Sequence, residues 1–330
     1  MVRLKRIGRE DLTIRRRRHG RSFGYLDEAG ELVGDAATRE RVHGLGIPPA
    51  WTEVRIAASP RAHIQACGLD AAGRLQYIYH PDWEARRVRR KQLQLGLLTA
   101  ALPRIRRRVR EDLEAETGSK ELALAIGVAL IDRTAMRVGR ERYLDAHGTR
   151  GAGTLFNRDV TVKGDEIRVA FPAKSGKKAS YSFADARLAR AIEAVRSIPG
   201  RRLLMYRNGE VRALRTDDIN RYLREIAGAP VTAKDFRTLH ASAMAGEALA
   251  RLEPAESATA RKRQMAAVTK QVAAFLQNTP AISRASYVAP CLYALFDKGR
   301  LAELWAAGGD GANGVRQREV RLAAVLEAAG

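Results

Sequence analysis

At Trp83 the spacing of apolar residues along this chain changes. Upstream, "WTEVRIAA", "AHIQACGLD" and "LQYIYHPDW" alternate or are rich in β-formers, with "SPR" and "DAAGR" between them as turn signals. Downstream, "EARRVRRKQLQLGLLTAALPRIRRRVREDLEAE" repeats Leu and Ile at helical spacing and fills the remaining positions with arginine. A run of period two cannot bury one face as a helix, and a run of period 3.6 cannot do so as a strand. Strands followed by helices therefore give an α+β chain. A small antiparallel sheet domain is expected over residues 1–90, with Trp51 and Trp83 at the margins of the sheet. A larger, mostly helical domain is expected over 91–330.

The helical pattern downstream of Trp83 reads as two segments interrupted near Pro103, because a proline removes one backbone donor inside a helix. "SKELALAIGVALIDRTAMRVG" follows as a strongly apolar helix. Residues 153–183 return to strand character, with a turn at "KSGK", and helices dominate from 184 onward. At the other end, Arg15, Arg16, Arg17 and Arg18 read as part of a solvated basic arm, with DNA contact as the functional alternative.

Lysines and arginines number 59 against 37 aspartates and glutamates, a formal charge of +22. A field of that sign concentrates polyanions, and nucleic acid is the first candidate partner. Hydrophobic residues at 45% exclude wholesale disorder. Apolar runs long enough for a membrane span or a signal core are absent, so a soluble, cytoplasmic protein is expected. The two cysteines, Cys67 and Cys291, lie far apart with no CxxC pair or histidine cluster. That argues against a disulfide framework or structural zinc.

Phosphodiester chemistry needs cations or amides around the non-bridging oxygens, a nucleophile, and a proton donor for the leaving oxygen. The chain has no clustered DxD, HExxH or HNH-like group, so metal-dependent cleavage is poorly supported. "KSGKK" lacks the upstream glycine and terminal hydroxyl of a Walker loop, and "GAGTLF" has two of the three glycines of a dinucleotide loop. Neither a nucleotide nor any other cofactor is expected. What remains is a metal-free site of arginines and lysines around a tyrosine.

Four stretches supply it in order: "TAMRVGRERY" (134–143), "FPAKSGKKA" (171–179), "TAKDFRTLHASA" (232–243) and "LQNTPAISRASYV" (276–288). Together they closely resemble the catalytic domain of type IB DNA topoisomerases, in the compact poxvirus-like branch found in bacteria. "IPPAWTEVRI" and "HIQACGLDAAGRLQYIYHPDW" resemble that family's DNA-clamping domain. The likeness spans roughly residues 40–290.

The resemblance implies a pentad. Arg137 and Arg237 hold the scissile phosphate. Lys174, on a mobile β-hairpin, protonates the leaving 5′ oxygen. Asn278 stands where many members have histidine, and Tyr287 is the nucleophile. An amide donates a hydrogen bond but carries no proton, so Asn278 is assigned electrostatic stabilisation alone. A phenol is a poor nucleophile in water, and the neighbouring arginines would carry the charge of its phenolate. Arg140 and Tyr143 match positions that contact DNA beside the phosphate. In "QYIY", Gln76, Tyr77 and Tyr79 match a stretch that contacts DNA, where an amide and aromatics suit base edges.

Each residue also has a plainer reading. Arg137 is also explained as a solvated helix-end arginine, Lys174 as a loop lysine, and Arg237 as half of a salt bridge. Asn278 would serve as a helix terminator, and Tyr287, Tyr77 and Tyr79 as packing aromatics. His240, one helical turn after Arg237, reads as a positioning or packing residue.

The family's activity would be relaxation of supercoiled duplex DNA through a 3′-phosphotyrosyl link, without ATP or metal, by a monomer clamping DNA in the nucleoid. A tyrosine site-specific recombinase is the enzymatic rival, although that family usually shows HxxR where this chain has Lys234 in "KDFR". A non-catalytic basic DNA-binding protein is the rival from another class.

Overall fold

The computed structural model describes residues 3–20, 22–173, 176–309 and 315–329. The chain divides into two compact units, Met1–Arg90 and Lys91–Gly330.

The first unit is built on one five-stranded antiparallel sheet. Its elements are β1 (Ile14–His19), β2 (Ser22–Leu26), helix α1 (Ala36–Gly44), β3 (Thr52–Ile56), β4 (Ile64–Leu69) and β5 (Leu75–Tyr79). The strand order is β2-β1-β3-β4-β5. Alternation sends Ile14, Val54, Ile56 and Ala66 into one small core with Val42 of α1. Leu12, Ile64 and Cys67 form a second cluster.

The arginine run is a strand where an arm was expected, although Arg15, Arg17 and Arg18 are exposed as a solvated run would be. All four arginines lie in β1, paired with β2 from Arg15↔Leu26 to Arg18↔Phe23. Arg16 explains why a charge run can be a strand. Its guanidinium donates to the carbonyls of Pro48 (3.1 Å) and Trp51 (2.5 Å) and lies 4.2 Å from the Phe23 ring centroid. The charge of the run says nothing about such partners, which come from 32 and 35 residues away.

Helix α2 (Pro81–Asp112) follows, and the division between the units falls inside it. It is one helix, where two segments were expected. Pro103 lies on its exposed face, while Leu98, Leu102, Ile105 and Val109 form the buried stripe. The hydrogen bond that proline removes is thus lost on the water side, and packing on the opposite side carries the helix through.

The second unit is mostly helical. Helix α3 (Lys120–Thr134) starts where the Ser119 hydroxyl accepts from Leu122 N–H (3.2 Å). It is apolar all round, and Leu122, Ile126, Leu130 and Ile131 are fully buried, each worth about 1.5–3 kcal/mol of burial. It ends at Ala135, which adopts φ 52°, the left-handed region. After α4 (Glu141–His147) come β6 (Val160–Lys163), β7 (Glu166–Pro172) and β8 (Lys178–Ala184). They form the expected sheet in the order β6-β7-β8, and the expected turn at KSGK falls partly outside the described residues, between Pro172 and Lys178. Helix α5 (Ala186–Arg196) is followed by the hairpin of β9 (Met205–Asn208) and β10 (Glu210–Ala213), which the helical reading of this region did not anticipate. The remaining helices are α6 (Thr216–Ala227), α7 (Ala233–Ala250), α8 (Ala258–Phe275), α9 (Pro280–Ser286), α10 (Pro290–Asp297), α11 (Leu301–Ala307) and α12 (Val315–Ala328).

One backbone contact fixes the loop after α3. Ala152 N–H donates to Arg137 C=O (2.9 Å) and Gly153 N–H donates to Val138 C=O (2.7 Å). The "GAG" segment is therefore the backbone partner of the "RVG" loop. Gly139 has φ +80°, and a methyl on Gly151 would lie 2.2 Å from the Arg137 carbonyl oxygen. Neither Gly139 nor Gly151 has room for a side chain. Gly151→Ala is expected to lower the urea unfolding free energy by about 1–3 kcal/mol through overpacking. An unchanged midpoint would contradict the packing.

Candidate active site

Helix α7 begins with a cap supplied by Asp235. Thr232 N–H and its hydroxyl both donate to the Asp235 carboxylate (2.8 and 2.9 Å). The expected helix start at "KDFRT" is thus present, and it buries Arg237 one turn later, with 3% of the residue exposed.

Arg237 is held by carbonyls. One terminal nitrogen donates to Ala135 C=O, and the other donates to Leu276 C=O at 3.0 Å. Ala135 is the C-cap of α3 and Leu276 the C-cap of α8. The guanidinium therefore sits where two helix dipoles end negative, each favouring a cation by about 0.3–1 kcal/mol and more when partly buried. Among the described residues no carboxylate pairs with it. Its Nε is buried without a hydrogen-bond partner. The salt-bridge reading of Arg237 is thereby replaced by a cation fixed in place with its charge left open.

Tyr287 lies against it. The Arg237 guanidinium carbon is 5.0 Å from the Tyr287 ring centroid. Arg137, in the loop that Gly139 and Gly151 fix, lines the same cleft of about 670 Å³ as Arg237 and Tyr287. Burial lowers the Arg137 pKa, and the neighbouring positive charge of Arg237 lowers it further, while the phenols of Tyr287 and Tyr181 act the other way. Two guanidiniums facing each other across a partly dry cleft repel, and a bound anion relieves both.

Arg140 and Tyr143 also line this cleft. Arg140 is the residue before α4, and Tyr143 on that helix is 46% exposed beside the Arg142 guanidinium (4.7 Å to the ring centroid). The basic and aromatic cluster read from "RVGRERY" is one surface, with Lys234 and Arg150 on the same lining.

Asn278 does not line the cleft. It sits in the bend between α8 and α9, two residues past the Leu276 carbonyl that Arg237 holds, and its N–H donates to Ala273 C=O at 2.8 Å. Lys174 lies outside the described residues, although Ala173 and Gly176 on either side of its turn reach the cleft lining. His240 faces away from the cleft. It is 9% exposed, with Nε2 3.9 Å from an Asp132 carboxylate oxygen. Asp132, His240 and Glu319 gather closely enough to hold a metal ion. The Arg106 guanidinium, however, already donates to both carboxylates at 2.6–2.9 Å, and the group reads as an ion-pair network.

In the first unit, Tyr77 and Tyr79 stack at 5.9 Å on one face of β5, and Tyr77 is 38% exposed. Ile78 points the other way into the core, as alternation requires. Gln76 shares the Ile78 parity, and its amide donates to the Asp70 carboxylate at 2.8 Å.

Sequence reasoning missed Tyr181. Burial pushes its phenol pKa up, and the charges of Arg237 and Arg137 oppose that shift. The signal was the alternation in "KASYSF", which turns Ala179, Tyr181 and Phe183 to the same side of β8.

Comparison with known proteins agrees with this geometry. Residues 84–289 match the family model described as eukaryotic DNA topoisomerase I, catalytic core. Residues 22–70 match the model of the bacterial DNA topoisomerase IB N-terminal domain. The DNA topoisomerase 1B of Acanthamoeba polyphaga mimivirus is 29% identical over 275 residues, which cover 81% of each chain. Among the described residues no helix is long and apolar enough to cross a membrane. A catalytic-core match over more than half of the chain, an N-terminal match ahead of it and a viral relative along most of its length make this chain a member of the type IB DNA topoisomerase family, an isomerase acting on DNA.

Proposed function

We propose that this enzyme relaxes supercoiled duplex DNA by transient single-strand cleavage, with Tyr287 as nucleophile. The observation that carries the reading is the Arg237 guanidinium over the Tyr287 ring, buried with no carboxylate partner among the described residues, with Arg137 on the lining of the same cleft. A scissile phosphate brought between Arg137 and Arg237 would have its non-bridging oxygens met by charge-assisted donors, and these strengthen as charge builds in the transition state. The Tyr287 phenol gives its proton to solvent, its oxygen attacks phosphorus and the P–O5′ bond breaks, which leaves a 3′-phosphotyrosyl link and a 5′-hydroxyl. Lys174 gives the leaving oxygen its proton, and Asn278 adds a neutral donor once the α8–α9 bend that carries it moves toward the phosphate.

The cut strand then rotates about the intact one, and the 5′-hydroxyl attacks the phosphotyrosine to reseal it. The phosphodiester energy is conserved in the covalent link, so neither ATP nor a metal ion is required. Arg140 and Tyr143 hold the backbone beside the scissile phosphate. The Met1–Arg90 unit contributes further DNA contacts through Tyr77, Tyr79 and Gln76. All five proposed groups belong to one chain, which makes a monomer sufficient. The +22 charge suits a protein held on chromosomal DNA in the nucleoid.

Incubation with end-labelled duplex in EDTA, followed by a denaturing gel, is expected to show a covalent adduct in the parent and none in Tyr287→Phe, with duplex affinity retained. An adduct that survives in Tyr287→Phe would overturn the nucleophile. Lys174→Ala should slow cleavage by roughly 100-fold or more, in the range of one proton-transfer contribution. A substrate with sulfur at the 5′ bridging position, which leaves without a proton, should restore the rate. Failure of that substrate to rescue Lys174→Ala would remove the general-acid role.

A further inference from the structure

Tyr287 is held by α9 only through its N–H, which donates to Ser283 C=O at 3.0 Å. It is the residue after α9, with φ −123° and ψ −30°, and α10 begins three residues later at Pro290. Local geometry alone therefore does not aim its phenol.

The backbone of this short junction is gripped from two other helices. Ser242, fully buried on α7, donates its hydroxyl to Tyr287 C=O (3.2 Å) and accepts from Ala289 N–H (3.0 Å). Lys91, on α2, donates its ammonium to Val288 C=O (3.1 Å). Three successive residues thus each have a main-chain group held by a side chain from elsewhere in the fold. Val288 and Ala289 are buried to within 1% of complete, so the grip lies in a dry place. Ser242 stands five residues beyond Arg237 on the same helix. Helix α7 therefore places a guanidinium against the Tyr287 ring and a hydroxyl against its backbone.

We infer that Ser242 and Lys91 form a backbone clasp that aims the Tyr287 phenol for in-line attack, and that both are positioning residues of the cleavage step. The inference rests on the nucleophile assignment made above. In-line displacement requires the reacting atoms within about 3–3.5 Å, and a shift of about 1 Å costs on the order of 100-fold in rate. A clasp of three hydrogen bonds on a junction of this length controls displacements of that size.

The charge of Lys91 is hard to explain by stability. Burial, joined by the ammonium of Lys234 on α7 and opposed by the Cys291 thiol on α10, lowers its pKa to about 8. A lysine whose folded pKa lies below its unfolded one opposes folding while it is charged. That opposition is full below about pH 8 and fades toward the ordinary lysine value of about 10.4. The ammonium is thus retained beside the proposed nucleophile against a folding penalty. It is a stronger donor to Val288 C=O than the neutral amine.

The test is the single-turnover cleavage rate at saturating duplex for Ser242→Ala and Lys91→Met. Duplex affinity is measured separately with Tyr287→Phe added to each. Both variants are expected to cleave roughly 10- to 100-fold more slowly, with affinity unchanged within about twofold. The deficit should persist on the substrate with sulfur at the 5′ position, because nucleophile aim and leaving-group protonation are separate. The parent-to-Lys91→Met ratio should be largest below pH 8 and shrink above it, as the parent loses its own ammonium. Ser242→Ala preserves volume and carries the test alone should Lys91→Met fail to fold. Ser242→Ala within about twofold of the parent, a deficit erased by the sulfur substrate, or a Lys91→Met ratio flat with pH would each overturn the clasp. Loss of adduct in Tyr287→Phe alongside those results would leave the nucleophile standing, whereas an adduct in Tyr287→Phe would strike the nucleophile itself.

Discussion

A guanidinium fixed by carbonyls instead of carboxylates is the interaction on which this site depends. Arg237 reaches the C-caps of α3 and α8, so two helices must end where they do for it to be held. A carboxylate partner would fix the same side chain equally well but would neutralise it. Helix ends supply partial negative charge and geometry while leaving most of the cation's field directed at the cleft. The left-handed conformations of Ala135 and of Gln277, just after Leu276, mark the same two helix ends. Non-glycine residues there are strained, and such strain is retained where surrounding structure over-determines it.

The rest of the second unit serves that placement. The loop carrying Arg137 is set by the close approach of Gly139 and Gly151, and the apolar helix α3 anchors its start. Tyr181 on β8 has its phenol pushed toward the neutral form by burial, against the nearby charges of Arg237 and Arg137. The outcome is a cleft with positive charge, aromatic rings and little compensation, which is complementary to a backbone phosphate.

Much of this was legible in the sequence, for identifiable reasons. The period-two runs around "QYIY" and "VTVKGDEIRVAF" gave their strands because one face of each is buried. The α+β class followed from their order relative to the helical runs. The order Arg137, Arg237, Tyr287 pointed to one site through its resemblance to the type IB topoisomerase motifs, and one cleft lining holds all three side chains. What stayed hidden depends on distant partners. Arg15–Arg18 read as an arm because their neighbours in sequence are charged, yet Arg16 is satisfied by carbonyls near Trp51. Pro103 read as a break because the water-facing side of its helix is invisible to periodicity. Asn278 was grouped with the others by order along the chain, and it lies outside the cleft lining. Ser242 and Lys91 carry no motif at all, because their partners are main-chain atoms.

The most direct measurement of the central claim is a crystal structure with nicked duplex DNA and orthovanadate, which imitates the five-coordinate phosphorus of the transfer step. The account predicts vanadium bonded to the Tyr287 oxygen, with nitrogens of Arg137 and Arg237 about 2.7–3.2 Å from its equatorial oxygens. Vanadate bound to another residue, or both guanidiniums turned away from it, would contradict the account.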